Sequence, residues 1–282
     1  MRRFLFIVVF MLSVVGAVGT VGAVGAVGTV VAQEYRIEEG ICYSTADEYA
    51  CERCMLDVYY PVGGDECEVV VWFHGGGLTG GERYIPRQLK EHGIVVVAVN
   101  YRLMPRATID DCIDDAAAAV AWTFSNIARY GGSADKIVVS GHSAGGYLTS
   151  MIGLDKQWLA KYEVDADAIA ALVPFSGQVI THFANRRVRG MSEMQPLVDE
   201  YAPLYHIRPD APPYIIISGD RERELFGRYE ENAYMWRMLK LVGHPAVEIY
   251  ELDGYDHGAM AEPAHHILLD VVRRVSDGAF GR

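Results

Sequence analysis

Ile137-Val138-Val139-Ser140-Gly141-His142-Ser143-Ala144-Gly145-Gly146-Tyr147-Leu148 decides how this chain is read. Three β-branched residues run into Gly-x-Ser-x-Gly, and an apolar, helix-compatible segment follows. A serine at such a strand-to-helix reversal is held out of the sheet, with its hydroxyl exposed and the next backbone N–H turned toward the same space. Gly141 and Gly145 leave room where side chains would collide in so tight a turn. The stretch therefore predicts a nucleophile at Ser143; the plain alternative is a glycine-rich turn.

Upstream, Glu68-Val69-Val70-Val71-Trp72-Phe73 is a continuous apolar run of the kind found in a strand covered on both faces. It ends in His74-Gly75-Gly76-Gly77, whose glycines let the backbone curl so that N–H groups aim at one oxygen. A phosphate loop would need Gly-Lys-Ser/Thr, which does not follow. A helix is expected over residues 85–92, a strand over 93–99, and a long amphipathic helix over 111–130 that stops at Gly131-Gly132. Short strands are expected around 41–43, 55–60, 169–173, 214–218 and 246–250, the first two separated by a polar turn, with helices over 228–242 and 263–275. This alternation implies an α/β class: a doubly wound, mostly parallel sheet of about eight strands. Residues 178–213 break the pattern and read as a small cap insertion, with Arg186 and Arg187 as solvated charges or, as the alternative, substrate ligands.

The 282 residues carry a formal net charge of −12 and no basic cluster, which excludes a nucleic-acid surface. Arg2-Arg3, an apolar run and Val30-Val31-Ala32 give residues 1–32 the pattern of a secretory signal. The uncharged run from Phe4 to Ala32 is also long enough to be an uncleaved membrane anchor. Either reading places the 33–282 catalytic domain outside the cytoplasm. Cys42, Cys51, Cys54 and Cys67 could form two disulfides in an exported protein, with three connectivities open. Cys51-x-x-Cys54 as half of a zinc site is the weaker alternative, and Cys112 reads as a buried thiol.

Serine needs a base to become nucleophilic and a carboxylate to fix that base's tautomer. Among nine histidines, His257 follows the last expected strand in a Gly-rich loop, where the chain order serine, acid, histidine puts the base. His142 is expected to point away along the turn and His74 to support the glycine loop. Ser218-Gly219-Asp220-Arg221-Glu222-Arg223-Glu224 supplies three carboxylates just beyond the penultimate strand. The N–H groups of Gly75, Gly76 and Ala144 are the expected oxyanion donors.

His-Gly-Gly-Gly, Asn-Tyr-Arg-Leu, Gly-His-Ser-Ala-Gly-Gly and the late Asp-His, in this order, resemble the α/β-hydrolase superfamily. Within it they are similar to the carboxylesterases related to hormone-sensitive lipase and to the acetylxylan/feruloyl esterases. His142 stands where the lipase group has aspartate, which favours the carbohydrate-esterase or kynurenine-formamidase side. The resemblance implies an acid three residues after the glycine, Glu222; Asp220 is nearer the strand end and has the more usual side chain. It further implies a secreted serine esterase for short acyl groups, acetyl or feruloyl esters on polysaccharide among them, with a small-molecule or carbohydrate ester as substrate. No metal or organic cofactor is called for. A formamidase or peptidase with the same triad, and a non-catalytic binding module, are the alternatives.

Overall fold

A computed structural model describes residues 33–280; the expected signal or anchor over 1–32 lies outside the described residues. Eight strands form one sheet: β1 (Tyr35–Cys42), β2 (Met55–Pro61), β3 (Cys67–Phe73), β4 (Val95–Val99), β5 (Gly132–His142), β6 (Ala171–Phe175), β7 (Tyr214–Gly219) and β8 (Val247–Leu252). Their spatial order is β1-β2-β4-β3-β5-β6-β7-β8, antiparallel at β1/β2 and β2/β4 and parallel elsewhere. The helices are α1 (Glu48–Arg53), α2 (Ile109–Asn126), α3 (Ala144–Leu154), α4 (Gln157–Ala160), α5 (Phe183–Val188), α6 (Arg228–Leu241) and α7 (Ala261–Ser276). Among the described residues no helix is long and apolar enough to cross a membrane.

The continuous β-branched runs are explained by two cores, one on each face of the sheet. Val69, Val71, Phe73, Val97, Val139 and Ile216 pack with Ile113 and Val120 of α2, Leu148 and Met151 of α3, and Met235 and Leu239 of α6. The alternate residues Val70, Trp72, Val96, Val138, Ile215 and Ile217 pack with Leu268 and Val272 of α7. Both sets of side chains leave water, so no polar alternation survives in the central strands.

Three expectations are corrected. Residues 85–92 form only a 3₁₀ turn, Arg87–Leu89, because the backbone is extended on either side of it, at Pro86 (ψ 130°) and Lys90 (ψ 148°). The polar stretch between the first two strands folds into α1, whose first turn is capped by Asp47 accepting the Ala50 N–H at 2.7 Å. The five cysteines are all free thiols. Cys54 is buried toward Tyr43 and Asp115 whereas Cys42 and Cys51 are exposed, so the anticipated bridges have no shared direction.

Asn100-Tyr101-Arg102-Leu103 leaves β4 and ties the sheet to its surroundings. The Arg102 guanidinium, 5% exposed, donates to both oxygens of Asp115, 1% exposed, at 2.7–3.1 Å, and the Arg102 N–H adds a bond of 2.8 Å. Asp115 sits on α2, so the pair locks the β4 exit to that helix. Asp115→Ala leaves the guanidinium buried with only the rim carboxylates Asp47 and Asp111. The expected loss of unfolding free energy is about 3–5 kcal/mol, measured by urea denaturation; a loss under about 1 kcal/mol would show the pair to be dispensable.

Candidate active site

Four strand ends deliver the site. β5 runs into Ser143, which adopts φ 57° and ψ −112°, and α3 starts at the next residue. The reversal is held by the Ser143 N–H donating to the Phe175 carbonyl of β6 at 2.8 Å. It is also possible only with glycine at 145, where a Cβ would stand 2.1 Å from the Phe73 carbonyl oxygen of β3. The hydroxyl of Ser143 is therefore presented at the carboxyl edge of the sheet, between β3 and β6.

His257, in the loop after β8, meets it: Nε2 lies 2.8 Å from Ser143 Oγ. On the other side of the ring, Nδ1 lies 2.8 Å from Glu224 Oε2. Glu224 is thus the carboxylate against the imidazole, and neither Glu222 nor Asp220 is. Its side chain is 1% exposed. Oε1 accepts the Ser176 hydroxyl at 2.5 Å and the Gly219 N–H at 3.0 Å, and Oε2 accepts the Leu225 N–H at 3.1 Å. Burial pushes the Glu224 carboxyl up, but the bonds from His257, Ser176 and Gly219 outweigh it and hold the group at about 2.

The two expected acids are placed elsewhere for a local reason. After β7 the chain makes one helical turn, with the N–H groups of Arg223 and Glu224 donating to the Asp220 carbonyl at 2.9 Å. The turn returns Glu224 under the strand end and leaves Glu222 exposed. Asp220 instead accepts the N–H groups of Glu222 at 2.9 Å and Gly254 at 2.7 Å, pinning the loop that precedes His257. The signal for Glu224 was present as the third carboxylate of the run, but its selection depends on that turn.

His142 does not point away. Its ring lies 4.9 Å from that of His257, and its Nε2 is 2.7 Å from the His257 carbonyl oxygen. Burial, and then His257 itself, bring His142 down to about 4, so the neutral ring donates Nε2–H to that carbonyl. Ser176, at φ 46°, was also missed; its hydroxyl is 3.0 Å from His257 Nδ1 as well as bonded to Glu224.

The glycine loop stands against the same hydroxyl. A Cβ on Gly75 would be 3.5 Å from that of Ser143, and Gly76 takes φ 112° with no room for a side chain beside the Gly80 carbonyl. Ala144 is the first residue of α3, so its N–H belongs to the helix's unpaired first turn. His74 holds the loop: its ring stacks on Tyr101 at 4.4 Å, and the Tyr101 hydroxyl donates to the His74 carbonyl at 2.8 Å. Burial lowers His74 to about 4, which fits a neutral packing role.

Segment 176–213 lies between β6 and β7 and carries α5. Arg187 is exposed and bonds Glu193 at 2.7 Å, as a solvated charge should. Arg186 is not solvated: it is 2% exposed.

A family model described as BD-FAE matches residues 56–226. The chain is 32% identical over 168 residues to the probable carboxylic ester hydrolase LipM of Mycobacterium tuberculosis, covering 51% of this chain and 38% of LipM. It is 27% identical over 205 residues to esterase LipC of the same organism, covering 66% of this chain and 50% of LipC. The matched stretches thus span half or less of those relatives' lengths. Among solved structures, a truncated carbohydrate esterase from gut microbiota superposes with a TM-score of 0.72 at 16% identity, over 87% of this chain and 98% of that one. Thermogutta terrifontis esterase 2 superposes with a TM-score of 0.67 at 23% identity, over 86% and 92% of the two chains. With more than half of its length matched by the family model and the sheet order and strand-end site described above, the chain belongs to the BD-FAE family of α/β-hydrolase fold proteins.

Proposed function

We propose that the protein is a carboxylic ester hydrolase that works through an acyl-enzyme on Ser143. The observation that carries this reading is the unbroken line from Ser143 Oγ through His257 to Glu224, with both contacts at 2.8 Å. His257 Nε2 takes the proton of Ser143 as Oγ bonds to the ester carbonyl carbon. The negative oxygen of the tetrahedral intermediate accepts hydrogen bonds from the N–H groups of Gly75, Gly76 and Ala144, each such donor contributing about 3 kcal/mol. Nε2–H then protonates the departing alcohol oxygen. Water repeats the sequence in reverse, with His257 as base, and frees the acid and the serine. Glu224 stays ionised throughout, because the bonds from His257, Ser176 and Gly219 hold it well below neutrality, and it stabilises the imidazolium formed at each step.

Short acyl esters are the proposed substrates, with acetyl and feruloyl groups on polysaccharide as the natural class. Export by residues 1–32, or retention on a membrane through them, would put the enzyme where such polymers are found.

Ser143→Ala should lower kcat/KM for p-nitrophenyl acetate by about 10⁴-fold or more with an unchanged circular-dichroism spectrum; hydrolysis at the native rate would remove the mechanism. Glu224→Gln should cost about 10³–10⁴-fold in kcat, while Glu222→Gln stays within about twofold of the native rate. Equal effects at the two positions would show that Glu224 does not orient His257.

Acid stability supplies an independent check. The folded-state carboxyl of Glu224 lies below its usual value of about 4.3, so it adds stability above about pH 5. That contribution is lost as pH falls toward 2. The difference in unfolding free energy between the native protein and Glu224→Gln should therefore shrink between pH 5 and pH 2; a difference constant over that interval would contradict the depressed carboxyl.

A further inference from the structure

A cavity of about 330 Å³, lined in part by Leu225 to Arg228 just after Glu224, is not used by the chemistry above. Its walls include Phe183, Met194, Leu225 and Phe226, and its polar lining includes two arginines, Arg186 and Arg228, that are 2% and 3% exposed. Arg228 is satisfied: it donates to the Ser176 carbonyl, and its Nε lies 2.8 Å from Glu231 Oε1. Arg186 is not. Its Nη1 donates to the Gln195 carbonyl, its Nε has no hydrogen-bond partner, and among the described residues no carboxylate lies within 4.0 Å of its guanidinium.

A buried guanidinium with no carboxylate in direct contact is costly, and an anionic ligand seated against it would offset that cost. The other carboxylates of the cavity do not fill that role. Glu193 pairs with Arg187 and Glu231 with Arg228; both attract Arg186 only from beyond 4.0 Å, so two buried arginines share the one buried carboxylate of Glu231. The planar fork of an arginine matches a carboxylate best, with two parallel N–H donors. The walls of the cavity also adjoin the elements that hold the site. Leu225 and Phe226 directly follow Glu224, the Phe183 ring packs over Gly77 of the glycine loop, and Arg228 holds the carbonyl of Ser176, whose hydroxyl holds Glu224.

We propose that this cavity binds a carboxylate carried by the ester substrate, with Arg186 as its partner, so that the enzyme prefers acidic esters over neutral ones of the same length. The proposal rests on the esterase reading and adds the substrate class to it. The carboxylate can sit on the acyl side, as in a half-ester of a dicarboxylic acid, or on the alcohol side, and the two are separable by assay.

The acyl arm compares monoethyl succinate, glutarate and adipate with ethyl butyrate, valerate and hexanoate in a pH-stat. The alcohol arm compares 4-acetoxybenzoate with 4-acetoxybenzamide. In one arm kcat/KM for the acidic ester should exceed that for its neutral counterpart by about tenfold or more, and Arg186→Met should bring the ratio to about one. Competition supplies a measurement on the native protein alone: free glutarate or 4-hydroxybenzoate should inhibit p-nitrophenyl acetate hydrolysis competitively where glutaramide or 4-hydroxybenzamide does not. Turnover of neutral esters with no acidic preference in either arm and no such inhibition would overturn the carboxylate site while leaving the esterase reading intact. A ratio preserved in a folded Arg186→Met protein would overturn the role of Arg186. No turnover of any ester would defeat both readings.

Discussion

The left-handed backbone at Ser143 is the constraint on which the site depends. A non-glycine residue at φ 57° is strained, and it persists only because its surroundings leave no alternative. The N–H of Ser143 is fixed to β6 through Phe175, while α3 passes so close to the Phe73 carbonyl of β3 that residue 145 has no space for a side chain. Two neighbouring strands thus clamp the reversal from both sides. The clamp determines where the hydroxyl points, where the first N–H of α3 points, and where the glycine loop after β3 can lie.

Around that fixed point each partner is held by its own strand end and by a second anchor. The Gly219 N–H at the end of β7 holds Glu224; Asp220, one residue on, holds Gly254 and so the loop bearing His257. His142, next to the serine, grips the carbonyl of His257. The imidazole is consequently positioned from three directions, by its carboxylate, by its own backbone and by the serine it faces. In the proposed acyl transfer, pre-organisation of this kind lets the charges that form meet dipoles already in place.

Much of the architecture was legible because burial writes itself into composition. The runs in β3, β4 and β5 are continuous because both faces of the sheet are covered, and Gly131 at φ 76° ends the helical stretch where the sequence says it should. The meeting of Ser143 and His257 could be anticipated because each sits in a glycine-marked turn at a strand end. The acid could not be chosen from its position along the loop: one helical turn after Asp220 exchanges the ranks of Glu222 and Glu224, and nothing in residue type distinguishes them. Arg186 and Arg187 look alike in sequence, yet α5 buries one and exposes the other. The helix expected over 85–92 shrinks to one 3₁₀ turn because the backbone is extended at Pro86 and Lys90, which residue propensity alone does not foretell.

A direct test of the central arrangement is to inactivate the protein with a fluorophosphonate and map the modified peptide by mass spectrometry. An activated Ser143 requires a single phosphonyl group, on the peptide containing residues 137–148 and at Ser143 itself. Loss of activity with the label on another residue and Ser143 unmodified would contradict it.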